Sequence, residues 1–276
     1  MGAARADGRA VARGYPCRTL FPLKDNLPTD RQPIVTIALI AINVFVYLFL
    51  QPKSGIDLSG NSLNQSALFH YGAIPFELTH PGQHCDLVQD GTAVACGTNE
   101  PSSISTIATI FTSMFTHAGL LHLGGNMLFL WIFGNNVEDS MGPVRFVVFY
   151  LLAGIAALAL QVVISPDSTT PTLGASGAIA GVLGGYILIY PRARVLTLVF
   201  LFIFFTFIEL PAYFFLFIWF AQQAIFGAIG LTDPAGSGGG VAYFAHVGGF
   251  VFGLLAIKLF AKRLSAAYGQ PKYPVY

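Results

Sequence analysis

Charge is what this sequence has least of. Of its 276 residues 10% are Asp, Glu, Lys or Arg, while 54% are hydrophobic, and the mean hydropathy is strongly positive. A soluble globular domain carries about a quarter charged residues, so that class is excluded and a polytopic membrane protein is expected. The net charge of +1 at pH 7 gives no sign of a nucleic-acid partner. The 3 cysteines, Cys17, Cys85 and Cys96, form no zinc-ligand pattern with the histidines, and no metal or other cofactor is assigned. The amino terminus lacks the form of a cleavable signal peptide or an organellar presequence. Paired intramembrane charges and an inverted repeat are missing too, which argues against a small-solute channel or transporter.

What is present is long apolar runs. A membrane-crossing helix needs about 20 mostly apolar residues. Six stretches qualify: Ile34–Leu50, Leu120–Val137, Val144–Ile164, Gly174–Tyr190, Pro211–Leu231 and Val241–Phe260. The run Val195–Ile208 is short, rich in β-branched residues and phenylalanine, and cut off by Glu209, Leu210 and Pro211. It is expected as a buried or interfacial connector, with a seventh crossing as the alternative.

Basic residues favour the cytoplasmic side of the spans they flank. Arg5, Arg9, Arg13, Arg18, Lys24 and Arg31 precede the first span, Arg145 follows the second, and Arg192 and Arg194 follow the fourth; Lys258, Lys262, Arg263 and Lys272 close the chain. Six crossings with both termini inside satisfy all of them, whereas a seventh would put Lys262 and Arg263 outside. The expected division is a cytoplasmic, solvated amino-terminal segment (1–33), a membrane domain (34–263) with a long outer loop (51–116), and a cytoplasmic tail (264–276). A bacterial plasma membrane is the expected location. Cys85 and Cys96 share the outer loop on the oxidising side, where a disulfide is open but not required.

Three polar clusters interrupt the apolar spans. His122 and Asn126 are four apart and share a helix face, whereas His117 lies on another side and fits a structural role. Taken alone, the pair is equally an interhelical clamp. Ser176 stands in Gly174-Ala-Ser-Gly177 at the start of the fourth span, where a helix cap is the plainer reading. After it Gly177, Gly181 and Gly185 recur every fourth residue; in the sixth span Ala245, Gly249 and Gly253 repeat that spacing beside His246. Two such stripes let helices approach closely, which would bring Ser176 toward His246 as a nucleophile meets its base.

His117, His122 and Asn126, the Gly-x-Ser-Gly at Gly174–Gly177, and Ala245-His246 with Gly249 and Gly253 together resemble the rhomboid intramembrane serine proteases. The stretch from Gly134 to Gly142, with Glu138 and Asp139, is similar to that family's connection between second and third helices. The resemblance implies an all-α membrane protein, a rhomboid-like bundle of six transmembrane helices, that cleaves single-span membrane proteins within the lipid bilayer. It implies Ser176 as nucleophile, His246 as general base, and an oxyanion hole formed by the Ser176 N–H with His122 and Asn126. Ala180 stands where some members place an aromatic ring under the base, and no acidic residue near His246 offers a third triad member. Glu209 is expected to be structural, and the glycine-rich stretch Thr232–Gly240 is expected to act as a lid. A non-catalytic relative that binds membrane helices is the rival reading. The oligomeric state is not set by the sequence.

Overall fold

The structure is a computed structural model, and it describes residues 19–51, 65–88, 93–98, 104–201, 204–232 and 241–262. Along the chain come β1 (Thr19–Asp25), α1 (Ile34–Phe45), α2 (Gln65–Tyr71), α3 (Pro75–Thr79), β2 (His84–Leu87), β3 (Val94–Gly97), α4 (Thr106–Thr112) and α5 (Leu120–Phe129). There follow α6 (Asn135–Met141), α7 (Pro143–Ile164), α8 (Ser176–Ile189), β4 (Arg194–Leu201), β5 (Phe204–Pro211), α9 (Ala212–Thr232) and α10 (Tyr243–Phe260).

Helix α1 runs on into a wide π-type turn, Val46–Leu50, and a similar turn, Leu130–Gly134, joins α5 to α6. Gly142, at φ 86°, ends α6, and Pro143 opens α7 at the position where a missing N–H costs nothing. Among the described residues three helices are long and apolar enough to cross a membrane: Pro143–Ile164, Ala212–Leu231 and Tyr243–Phe260. Ile34–Leu50 and Ser176–Ile189 are shorter apolar helices. Large apolar side chains on the outer faces, among them Val163, Phe217, Leu255 and Leu259, are 64–81% exposed. So wide an apolar exterior is costly in water and suits a hydrocarbon solvent.

The axis of the molecule is α8. From Ala178 to Tyr186 every residue of it is buried, which is how a helix without a polar face behaves when surrounded by others. Its small residues set the spacing on two sides. A Cβ on Gly181 would collide with Ala153 of α7, and one on Gly249 or Gly253 of α10 would collide with the carbonyl of Gly177 or Gly181. The backbones of α8 and α10 are in direct contact along this seam.

The all-α expectation is corrected by two small sheets. Val195–Ile208 is a connector between α8 and α9 and not a crossing, and it is built as strands: it lies within the antiparallel pair β4–β5, with Arg194 opposite Pro211 and Leu201 opposite Phe204. The β-branched residues that made this run unsuited to helix alternate in burial, with Val195, Thr197 and Val199 inward, the two-residue period of a strand. Strand β1 adds to β4, giving the order β1-β4-β5, so the last part of the segment expected as a solvated tail is structured. Residues 1–18 and 263–276 lie outside the described residues.

Within the long loop stand the short helices α2 and α4, the latter extended by a tight turn, Ser113–Phe115. Strands β2 and β3 pair with Cys85 opposite Cys96, and the two cysteines form a disulfide.

At the carboxyl end of α8 a buried polar knot ties β1, α1 and α6 together. The Glu138 carboxylate accepts from Val35 N–H (2.9 Å), Thr36 N–H (2.7 Å) and Thr36 Oγ1 (2.8 Å), satisfying donors that the start of α1 leaves unpaired. Asp25 of β1 accepts from Tyr186 Oη and Asn136 Nδ2, each at 2.6 Å. Burial pushes the Asp25 carboxyl up to about 6, against the opposing pull of the Tyr186 hydroxyl. The Arg194 guanidinium meets Glu209 at 3.1 Å across the exposed base of β4–β5, a structural setting for that carboxylate.

Candidate active site

Ser176 stands at the opposite end of α8, on its first turn. Gly174, at φ 105°, turns the chain into the helix, a conformation open to glycine and strained for other residues. The approach is held from several sides. Gly174 N–H donates to Ser113 O at 2.8 Å, and Ala73 and Thr172 exchange backbone bonds of 2.9 and 2.8 Å. Ala175 N–H points at His117 Nε2 at 3.5 Å. His117 is fully buried, and its own backbone N–H and C=O are both bonded to the Gln51 side chain. Its place is behind the serine loop.

Ser176 is the first residue of α8, and the cap position before it falls to Ala175. The Ser176 Oγ lies 2.8 Å from His246 Nε2, so the cap reading fails and the serine is paired with an imidazole seventy positions away. His246 sits on the first turn of α10, which α7 steadies through a 3.2 Å bond from Ala245 N–H to Gln161 Oε1. The other ring nitrogen of His246, Nδ1, lies 2.8 Å from Gln223 Oε1 on α9.

His122 and Asn126 come to the same place from α5. A Cβ built on Gly174 would fall 2.7 Å from His122 Nε2 and 3.4 Å from Asn126 Nδ2, so both side chains lie against the backbone two residues before the serine. Ala118 N–H donates to His122 Nδ1 at 3.4 Å, which leaves the proton on Nε2, the nitrogen that faces Gly174. Asn126 is 8% exposed, and its Nδ2 has no hydrogen-bond partner among the described residues. A buried amide donor left unbonded is costly unless something else is to occupy the space before it.

Ser176, His246, His122, Asn126 and Gln223 all line one cavity of about 660 Å³. Its described lining holds no Asp, Glu, Lys or Arg, so polar interactions inside it are poorly screened. Among the described residues no group of three or more His, Cys, Asp and Glu could hold a metal ion. The glycines at 177, 181, 249 and 253 form the seam beneath the serine–histidine pair. Two contacts to His246 have no forerunner in the motifs: Gln223, and Trp219, whose ring centroid is 5.9 Å from the imidazole. A glutamine inside an apolar span is itself the signal that marks Gln223.

With this geometry in place, the class of protein follows from comparison with known sequences. The chain belongs to the rhomboid family: the family model described as Rhomboid domain matches residues 105–263. Members of this family are integral membrane proteins. Over 168 residues the chain is 32% identical to the human presenilin-associated rhomboid-like protein, mitochondrial, an alignment covering 59% of this chain and 40% of that protein. Over 156 residues it is 32% identical to rhomboid protein 1, mitochondrial, of Saccharomyces cerevisiae, covering 53% and 40%. Over 153 residues it is 31% identical to rhomboid protease GluP of Bacillus subtilis, covering 55% and 24%. The matched region thus spans about two fifths or less of these curated relatives.

Proposed function

We propose that this protein is an intramembrane serine endopeptidase that cleaves the transmembrane segments of single-span membrane proteins through a Ser176–His246 dyad. The observation that carries the proposal is the 2.8 Å contact between Ser176 Oγ and His246 Nε2, in a cavity where the Asn126 amide points an unused donor. Membership of a family that includes a relative named a protease supports it.

In this reading Ser176 Oγ attacks the scissile carbonyl while His246 Nε2 takes the hydroxyl proton and then gives it to the leaving amine. The carbonyl oxygen becomes an oxyanion. His122 Nε2–H, Asn126 Nδ2–H and the Ser176 backbone N–H, free at the start of α8, are its donors. Water then enters, His246 takes its proton, and hydrolysis of the acyl-serine restores the enzyme. No group beyond water is needed.

The membrane arrangement proposed is six crossings, with Ile34–Leu50, the continuous α5–α6 rod and Ser176–Ile189 joining the three longer helices. Arg31, Arg145, Arg192, Arg194, Lys258 and Lys262 flank the spans toward the sheet end, which supports the reading that this end and both termini face the cytoplasm, with a bacterial plasma membrane as the proposed location. The disulfide Cys85–Cys96 lies in the loop that braces the serine end, which suits the oxidising side. The substrate helix enters laterally beside α9 and unwinds near its outer end, favoured by small or helix-breaking residues at the cut. Of the stretch Thr232–Gly240, expected to be a lid, all but Thr232 lies outside the described residues.

Covalent labelling tests the dyad without knowledge of the substrate. A fluorophosphonate applied to the purified protein is expected to modify Ser176 in the wild type and to fail in His246→Ala, as read by peptide mass mapping. Equal labelling of both would remove His246 as the base.

A further inference from the structure

The helix that carries Ser176 does nothing to orient the imidazole of His246. In a neutral imidazole only one nitrogen carries the proton, and for His246 Nε2 to accept from Ser176 Oγ that proton has to be on Nδ1. A donor placed at Nδ1 in an apolar site needs an acceptor, or it is left buried and unpaired with the ring free to turn. Helix α8 offers none: Ala180, one turn after the serine, is fully buried and carries only a methyl group.

Helix α9 supplies what α8 lacks. Gln223 Oε1 lies 2.8 Å from His246 Nδ1, and Gln223 is 7% exposed although it sits in an apolar span. Trp219, one turn earlier on the same face, packs its ring 5.9 Å from the imidazole and tilted to it by 38°. Only the amide orientation that turns Oε1 toward the ring is compatible with a hydroxyl donating to Nε2; the reverse orientation would select the other tautomer.

We infer that Gln223 is a positioning residue that fixes the tautomer and the plane of His246, replacing with a neutral amide the acidic member of a triad. This rests on the Ser–His reading above. An amide oxygen accepts the Nδ1–H bond throughout the reaction, yet without a formal charge it favours the imidazolium less than a carboxylate would. The titratable groups facing the ring are few: His122 from α5, with His117 behind it, Ser176 from α8, and none from α7, whose nearest polar group is Gln161.

The test compares wild type, Ser176→Ala, Gln223→Leu and Gln223→Glu as full-length protein in liposomes, with a single-span model substrate. Gln223→Leu keeps the size and apolar setting of the side chain and removes the acceptor. It is expected to lower kcat about 10–100-fold with KM within about twofold, because the loss falls on proton transfer. Gln223→Glu restores an acceptor and is expected to move the acid limb of the kcat/KM profile upward by about one pH unit or more. Wild-type kcat in Gln223→Leu, a loss confined to KM, or an unmoved acid limb in Gln223→Glu would overturn the inference.

A second readout needs no substrate. In 15N spectra of histidine-labelled protein, His246 is expected as the Nδ1–H tautomer in the wild type and as a mixture in Gln223→Leu. An Nε2–H tautomer in the wild type, or no change in the variant, overturns the inference whether or not the protein cleaves. Equal behaviour of wild type and Ser176→Ala toward substrate is by contrast a failure of the protease reading itself.

Discussion

His246 Nε2 lies 2.8 Å from Ser176 Oγ because the helices that carry them touch at their backbones just beyond the pair. The Gly249 Cα faces the carbonyl of Gly177, one residue past the serine, and no side chain larger than hydrogen fits between them. Chemistry and packing are therefore not separable here: the seam sets the distance that proton transfer needs.

Widening that seam should cost activity before it costs the fold. Gly249→Ala places a methyl group against the Gly177 carbonyl and is expected to destabilise by about 1–3 kcal/mol while reducing substrate cleavage more than that loss explains. Gly230→Ala on α9, where a Cβ meets nothing within 4 Å, is the control and is expected to leave both unchanged. Thermal unfolding in detergent micelles beside a cleavage assay in liposomes reads the difference.

Asn126→Ala removes a donor that has no partner among the described residues. A stability loss is therefore not expected from a broken bond, whereas the rate should fall about 10²–10³-fold with little change in KM. A structural clamp would give the opposite pattern, a destabilised protein with near-normal turnover.

Glu138 is the reverse case. Its carboxylate accepts three hydrogen bonds from the start of α1, and Glu138→Ala leaves those buried donors unpaired. A loss of about 3 kcal/mol or more is expected, with Glu138→Gln milder because one oxygen remains. Chemical unfolding of the two variants in the same detergent checks the order.

Asp25 predicts a pH effect on stability. Its native pKa of about 6 stands above the ordinary 3.8, so the native state holds this proton longer than the unfolded chain does. The contribution is most favourable below the lower value and is lost as pH rises through the higher one. Asp25→Asn keeps an acceptor for Tyr186 and Asn136 without the charge. The gap in unfolding free energy between variant and wild type should open in the variant's favour from about pH 4 to pH 6, reaching about 3 kcal/mol, as read by chemical unfolding at each pH. A constant gap would mean the carboxyl is not held protonated.

The helices and the polar clusters were legible in the sequence for different reasons. Apolar length marks a span directly, and α7, α9 and α10 have it. The four-residue glycine and alanine spacings pointed to the α8–α10 contact because small side chains are what close approach requires. The hairpin β4–β5 was hidden because the Val195–Ile208 sequence is mostly apolar, and composition alone does not say whether a short apolar connector is paired as strands. Strand β1 was hidden because its partner, β4, lies more than 150 residues later in the chain. Gln223 belongs to none of the three clusters. It meets His246 only through the packing of α9 on α10, a relation that spacing along one helix does not encode.

The central claim is hydrolysis within the membrane, and cleavage of a panel of single-span substrates by the purified protein in liposomes tests it most directly. The account predicts a cut near the outer boundary of a substrate's transmembrane segment, located by mass spectrometry, that is lost in both Ser176→Ala and His246→Ala. Cleavage that persists in Ser176→Ala, or a folded wild type that binds these helices tightly and cuts none of them, would contradict it and favour a helix-binding relative without catalysis.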